Sequence, residues 1–231
     1  MHKAFLALVQ RAHFSHGEAY DRYTARIFGG IHRSVAEDVA AAAPTGGMVL
    51  DAGCGSGRLA VLIARRRPDL QVRGVDLERG MVEVATQRAE QGNLASRVHF
   101  TVGDLADLPL PDDSVDLIVS TASLHHWADV GAVIASLGRV LRPGGKMWIY
   151  DFRPVPAGRV CSAARNLGGR VDRTLVRTGR FPVALFQRLA VHPMPSLPST
   201  PTGTPAHPTG AHEPASSPAA GGRRTARTLW N

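Results

Sequence analysis

An acid, three alternating glycines and the start of a helical pattern lie together at Asp51-Ala52-Gly53-Cys54-Gly55-Ser56-Gly57. The stretch follows the short apolar run Met48-Val49-Leu50 and leads into a helical pattern from Arg58 to Arg67. A strand that breaks into a glycine turn and feeds a helix can cradle a nucleotide. Glycine lets the backbone approach a ligand, and a helix N-terminus offers unpaired N–H groups. The spacing narrows the choice of ligand. A dinucleotide turn of the form G-x-G-x-x-G/A needs a small residue at position 58, and Arg58 stands there. A carboxylate beside the glycines repels a pyrophosphate and suits a ligand carrying an ammonium group.

Further acids close later apolar runs. Val72-Arg73-Gly74-Val75-Asp76 reads as a second strand ending in an acid, and Val98 to Asp104 as a third ending in Gly103-Asp104. Asp76 can accept two hydrogen bonds from a ribose diol. A nicotinamide oxidoreductase would use an acid in the same way, so Asp76 does not separate the two readings; the first-loop spacing, with Arg58 in it, weakens that alternative. Ser120-Thr121-Ala122-Ser123-Leu124-His125-His126-Trp127 follows a fourth strand. Ligands of open parallel sheets gather at the carboxyl ends of strands, so this segment is expected to face the reacting groups. His125 or His126 can take a proton near neutral pH; packing after the strand is the plainer role. Adjacent histidines rarely share one ion and no carboxylate cluster accompanies them, so no metal site is expected. Cys54 lies in the glycine loop, either as a reactive thiol or as a small residue tolerated there.

The elements that must hold these residues alternate. Strand candidates cover 48–52, 71–76, 98–103, 115–121 and 146–151, with helices near 58–67, 79–91 and 130–141 between them. Alternation of this kind predicts an α/β fold: a doubly wound, Rossmann-like, mostly parallel sheet covered on both faces. Residues 1–43 read as helices, with Ile31, Val35 and Val39 on one apolar stripe, before Pro44-Thr45-Gly46-Gly47 breaks the pattern. Residues 153–190 offer a helix beginning near Val155-Pro156, a break at Gly168-Gly169, and a second apolar helix through Phe181, Val183, Leu185, Phe186, Leu189 and Ala190.

Five segments in order resemble the class I S-adenosylmethionine-dependent methyltransferases: Val49 to Gly57, Val72 to Asp76, Val98 to Asp104, Leu108-Pro109-Leu110-Pro111-Asp112-Asp113-Ser114-Val115-Asp116, and Leu141-Arg142-Pro143-Gly144-Gly145. The resemblance covers residues 46–151 and is to the small-molecule branch, which includes the ubiquinone/menaquinone-biosynthesis type. It implies S-adenosyl-L-methionine as cofactor and methyl transfer to an O, N or C nucleophile of a small molecule. By the same resemblance Asp51 serves the cofactor's ammonium, often through water, and Gly53, Gly55 and Gly57 let the backbone pass beneath it. Asp76 takes the ribose, Met81 packs on adenine, Asp104 and Leu105 meet the adenine edge, and Ser120 borders the site. A helix cap, core packing and a turn are the plain alternatives for Asp51, Met81 and Asp104. His125 acts as a base only where the acceptor must lose a proton. His13, His16, Tyr20 and Tyr23 belong to an N-terminal region that in this family often lids the substrate. The family's sheet ends in an antiparallel pair that this reading does not find, so the C-terminal strands are expected to be missing.

The implied domains are an N-terminal lid over 1–45, a cofactor-binding domain over 46–190 and a disordered tail over 191–231. Of the 40 residues 192–231, 28 are Pro, Gly, Ala, Ser or Thr, a composition that cannot bury a core. A natural extension and a shifted reading frame near residue 191 both account for it. The net charge of +8 invites a nucleic-acid reading. Residues 1–151 balance to −1, whereas 152–231 carry 11 Arg against 2 acids, so the excess lies outside the core and argues against nucleic acid as partner. A nucleic-acid methyltransferase recruited by that tail lacks an Asn/Asp-Pro-Pro-Tyr/Phe-type segment here. A non-catalytic binder with a shortened sheet is the other alternative. Two cysteines, Cys54 and Cys161, fit a reduced, cytoplasmic setting. No run approaches the ~20 apolar residues of a membrane span.

Overall fold

A computed structural model of the chain describes residues 17–177 and 184–192, with side chains from residue 29 onward. Seven strands form one sheet: β1 (Met48–Ala52), β2 (Gln71–Asp76), β3 (Val98–Val102), β4 (Val115–Thr121), β5 (Leu141–Phe152), β6 (Arg170–Val176) and β7 (Phe186–His192). The helices are α1 (Gly17–Ala42), α2 (Arg58–Arg66), α3 (Arg79–Gln91), α4 (Val130–Val140) and α5 (Gly158–Asn166). Strand order is β3-β2-β1-β4-β5-β7-β6. The first five strands run parallel, and β7 joins β5 and β6 antiparallel. The order reverses between β1 and β4, which is where a crevice opens above the strand ends.

Because the inner strands are covered on both faces, neighbouring residues enter opposite layers of core. Val49 and Val119 join Ile31, Val35, Val39, Leu59 and Ile63 under α1 and α2. Leu50 and Ile118 join Val133, Ile134, Leu137 and Val160 under α4 and α5. The α4 helix shows how sequence sets this. Asp129 caps it by accepting from Ala132 N–H at 3.0 Å, and Val130, Val133, Ile134, Leu137 and Val140 are its buried stripe.

One expectation requires correction. The C-terminal strands are present: β7 pairs with β5 from Met147↔Val191 to Phe152↔Phe186, and with β6 from Arg170↔His192 to Val176↔Phe186. The residues read as an apolar helix near 186–190 therefore lie in a strand. β7 buries Gln187, Leu189 and Val191 on one face, with Arg188 and Ala190 half-buried on the other; a polar Gln187 on the buried face and an apolar Ala190 on the other blur its alternation. β6 is an edge strand exposed on both faces; its Arg170, Asp172 and Arg173 discourage further pairing and leave no apolar period to read. The later part of α1 packs into the core, with Ile31, Val35 and Val39 fully buried. Tyr150 fastens it, donating to Asp38 Oδ2 at 2.7 Å. His13, His16, the side chains of Tyr20 and Tyr23, Phe181 and Val183, and the tail beyond His192 lie outside the described residues.

Candidate functional site

The loop after β1 is pinned to the end of β2. The N–H groups of Gly53 and Cys54 both donate to Val75 O, at 2.8 and 3.1 Å. Gly55 N–H donates to Asp76 Oδ2 at 2.7 Å, and Asp76 Oδ1 accepts from Glu78 N–H at 3.0 Å. Gly53 and Gly57 have φ of +74° and +72°, a region that penalises any side chain. A Cβ on Gly53 would lie 2.7 Å from Ser123 Cβ, and one on Gly57 would lie 2.6 Å from Phe100 Cζ and 2.8 Å from Ala85 Cβ. Gly53 therefore lets the loop after β4 close against the loop after β1, whereas Gly57 seats α2 against α3 and β3. A Cβ on Gly55 would meet open space, on the cleft side.

Asp51, at 2% exposure, lies behind this loop and does not line the cleft. Burial, and next the Asp76 charge, push its carboxyl from 3.8 up to about 7, against a backbone hydrogen bond from Ala60. Asp51 Oδ2 has no partner among the described residues. Burial also pushes the Cys54 thiol well up, with Asp51 and Asp76 adding to it, which favours an inert thiol over a reactive thiolate.

A cleft of about 680 Å³ opens over these strand ends. It gathers Gly53, Gly55, Asp76, Met81, Asp104, Leu105 and His125, together with Leu77, Thr121, Ser123 and Trp127. His32 of α1 also reaches it. Asp104 Oδ1 caps the turn after β3 by accepting from Ala106 N–H at 2.9 Å. Ser120 is fully buried and, like Gly57 and Asp51, does not line the cleft. The next residue, Thr121, lines it instead. Ala122 then bends with φ +54°, an unusual conformation for a residue with a Cβ, and turns Ser123 to His126 over the cleft. Ser123 Oγ accepts from Trp127 Nε1 at 2.9 Å.

The residue the sequence reading missed is Asp151, near the end of β5 and fully buried. It accepts from His125 N–H at 3.2 Å, and each of its carboxylate oxygens lies 3.1 Å from His125 Nδ1. Phe152 N–H donates to Asp151 Oδ1 at 2.7 Å. His125 Nε2 is buried and has no partner among the described residues. The available signal was an acid near the end of β5, as at the ends of β1 and β2. Nothing local linked it to a histidine 26 residues away.

The arrangement suits S-adenosylmethionine on structural grounds. An unpartnered buried carboxylate oxygen lies behind the glycine loop, and the strand-end acid Asp76 keeps spare lone pairs after its two backbone contacts. Met81, Leu77 and Leu105 offer apolar surface beside it. Among the described residues no group of three or more His, Cys, Asp or Glu side chains could hold a metal ion, and no helix is long and apolar enough to cross a membrane. Of Arg65, Arg66 and Arg67, the last two have partners: Arg66 pairs with Glu37, and Arg67 with Asp69 and the carbonyls of Ala40 and Ala43.

Residues 50–149 match the family described as a methyltransferase domain. The chain is 40% identical over 122 residues to the 27-O-demethylrifamycin SV methyltransferase of Amycolatopsis mediterranei, covering 52% of this chain and 44% of that protein. It is 34% identical over 110 residues to the demethylmenaquinone methyltransferase of Thermus thermophilus, covering 48% of this chain and 49% of that one. The matched part thus spans about half the length of these relatives. A candidate S-adenosyl-L-methionine-dependent methyltransferase from Methanococcus maripaludis shares the fold, with a TM-score of 0.66 and 21% identity over 80% of this chain and 94% of that one.

Proposed function

We propose that the chain, whose residues 50–149 match the methyltransferase domain family, is a class I S-adenosylmethionine-dependent methyltransferase that transfers the cofactor's methyl group to an O, N or C nucleophile of a small molecule. The observation that carries this reading is the convergence of Gly53, Gly55, Asp76, Met81, Asp104 and His125, from five separate segments, on one cleft at the strand-order reversal. The names of the relatives, directed at a rifamycin and a menaquinone precursor, support a small organic acceptor.

In this proposal Asp76 accepts from the ribose diol, and Met81 and Leu77 flank the adenine. Asp104 and the Leu105 backbone meet the adenine edge. Asp51 supplies negative charge behind the loop for the ammonium group, and Ser120 supports the segment that borders the methyl group. The cofactor brings an already activated methyl group. The protein's contribution is to align donor and acceptor and exclude water, worth up to ~7–11 kcal/mol of the barrier. Trp127, Leu105 and Val133 line the cleft with the apolar surface this needs. We place the activity in the cytoplasm on the reduced-cysteine argument. The alternative of a non-catalytic binder rested on missing strands, and β6 and β7 remove that support.

Calorimetric titration with S-adenosylmethionine and S-adenosylhomocysteine, beside Asp76→Ala, tests the reading. Micromolar binding, lost in the variant, is the expected result. Absence of binding by cooperatively folded protein overturns it.

A further inference from the structure

Four arginines and a histidine converge on a second cavity, of about 380 Å³, between α1, α2 and α3. Helical spacing brings them there. Arg58, Leu62 and Arg65 recur at i, i+4 and i+7 on one face of α2, while His32 and Arg33 come from α1 and Arg88 from α3. Arg88 also donates to the Ser56 carbonyl of the glycine loop, which ties this wall of the cavity to the loop. No acid lines the cavity among the described residues. Those of the same helices are used elsewhere or face away: Glu37 pairs with Arg66, Asp38 accepts from Tyr150, α2 carries none, and Glu83 and Glu90 are exposed outside it. Arg33 and Arg65 have no hydrogen-bond or ion-pair partner among the described residues. Gly29 borders the same space, and a Cβ there would meet nothing within 4 Å. A glycine inside a helix is destabilising relative to alanine. No close neighbour demands one here, and its effect is to leave the space open.

Like charges gathered without a counter-charge repel, and a concave wall of one sign focuses the potential into the cavity. An oxyanion relieves that repulsion. Guanidinium groups present paired N–H donors that match two oxygens of one phosphate, and the volume lies in the range of small-ligand sites, roughly 300–1,000 Å³. His32 and Arg58 line both this cavity and the cleft over the strand ends, so the two spaces adjoin. We propose that the cavity binds a phosphate or diphosphate group, beside the cofactor and separate from it. The group has two possible sources: an anionic handle of the methyl acceptor, reaching the cleft past His32 and Arg58, or a free phosphate compound. Only the first source rests on the methyl-transfer reading; the site itself does not.

Calorimetry of the full chain with inorganic pyrophosphate, with S-adenosylhomocysteine at saturation, tests the site. One-to-one binding is expected, weakening as salt rises. Arg33→Gln and Arg65→Gln should each weaken it about tenfold or more, the worth of a hydrogen bond to a charged group. Gly29→Leu should block it by filling the space with no change of charge. The paired change Arg170→Gln and Arg173→Gln, on the exposed strand β6, should leave it unaltered. All these variants should melt cooperatively and keep their S-adenosylhomocysteine affinity, since none of the four residues lines that cleft. Absence of pyrophosphate binding overturns the proposal. So does binding that the β6 pair weakens as much as the α1 and α2 changes do, which would assign it to the general positive charge of the chain. Binding seen only without S-adenosylhomocysteine also overturns it, by making the cavity part of the cofactor's own site. Protein that binds pyrophosphate and not S-adenosylhomocysteine keeps this site and loses the methyl-transfer reading. 1-Naphthyl phosphate beside inorganic phosphate then identifies the source. Tighter binding of the ester, with its ring protons close to Trp127 by NMR, assigns the group to the acceptor. Equal binding with the same arginine dependence assigns it to a free anion, and both results support the site.

Discussion

Asp51→Asn should make the ligand-free protein more stable at pH 8 while changing it little at pH 4. In the fold the Asp51 carboxyl is pushed from 3.8 up to about 7, first by burial and then by Asp76. Between those two pH values the folded chain keeps a proton that the unfolded chain has released. Stability therefore falls as pH rises through this window. Below it both states are protonated and there is no penalty; above it both are ionised and the penalty is complete. At about 1.4 kcal/mol per pH unit the three units amount to about 4 kcal/mol, a large part of the ~5–15 kcal/mol that holds a typical domain together. An amide at position 51 does not titrate. The difference between variant and wild type should therefore grow from near zero at pH 4 towards about 4 kcal/mol at pH 8. Asp76→Asn, which removes only the second cause, should recover a smaller part. Urea unfolding followed by circular dichroism at pH 4, 6 and 8, with equal m-values required, measures it. A difference that stays flat across this range would refute the reasoning. If Asp51 also meets the cofactor's ammonium, S-adenosylhomocysteine binding near pH 7 should release a proton, seen as a dependence of the binding enthalpy on the buffer used.

Gly57→Ala should destabilise the fold by about 2–3 kcal/mol, from overpacking and a disfavoured φ together, because its Cβ would meet Phe100 and Ala85; a thermal melt within about 2 °C of wild type would contradict this. Tyr150→Phe should cost about 1.5–3 kcal/mol in urea unfolding, the worth of a hydrogen bond to a charged group. It removes the hydroxyl that Asp38 accepts from, and a loss below about 0.5 kcal/mol would mean that this bond does not hold α1 to the sheet. The ionisation of Tyr150 itself should lie above the usual tyrosine range, since burial and Asp38 both push it up; an ordinary value by ultraviolet titration would show the contact to be open in solution.

How much of this was legible from the residues alone depended on whether the cause was local. The glycine loop, the first four strands and α3 stood out because their signals act over a few neighbours: an apolar run, a turn that needs φ > 0, a stripe repeating at 3.6 residues. Asp51, Asp76, Met81 and Asp104 could be singled out for the same reason, each lying at or just beyond a strand end. The strands that went unseen carry no clear period. In β7 the buried Gln187 and the half-buried Ala190 blur the alternation, and β6 is largely exposed; β7 becomes a strand because β5 offers its edge, and β6 because β7 does. Likewise His125 was visible as a residue type, but its orientation depends on Asp151, which β5 brings beside it from 26 positions away. The raised carboxyl of Asp51 belongs to the same class. Nothing in Val49-Leu50-Asp51 distinguishes a solvated acid from a buried one. Desolvation and the Asp76 charge act only after β1 and β2 have paired and α2 has covered them, because electrostatic environment is a property of assembled neighbours rather than of sequence order.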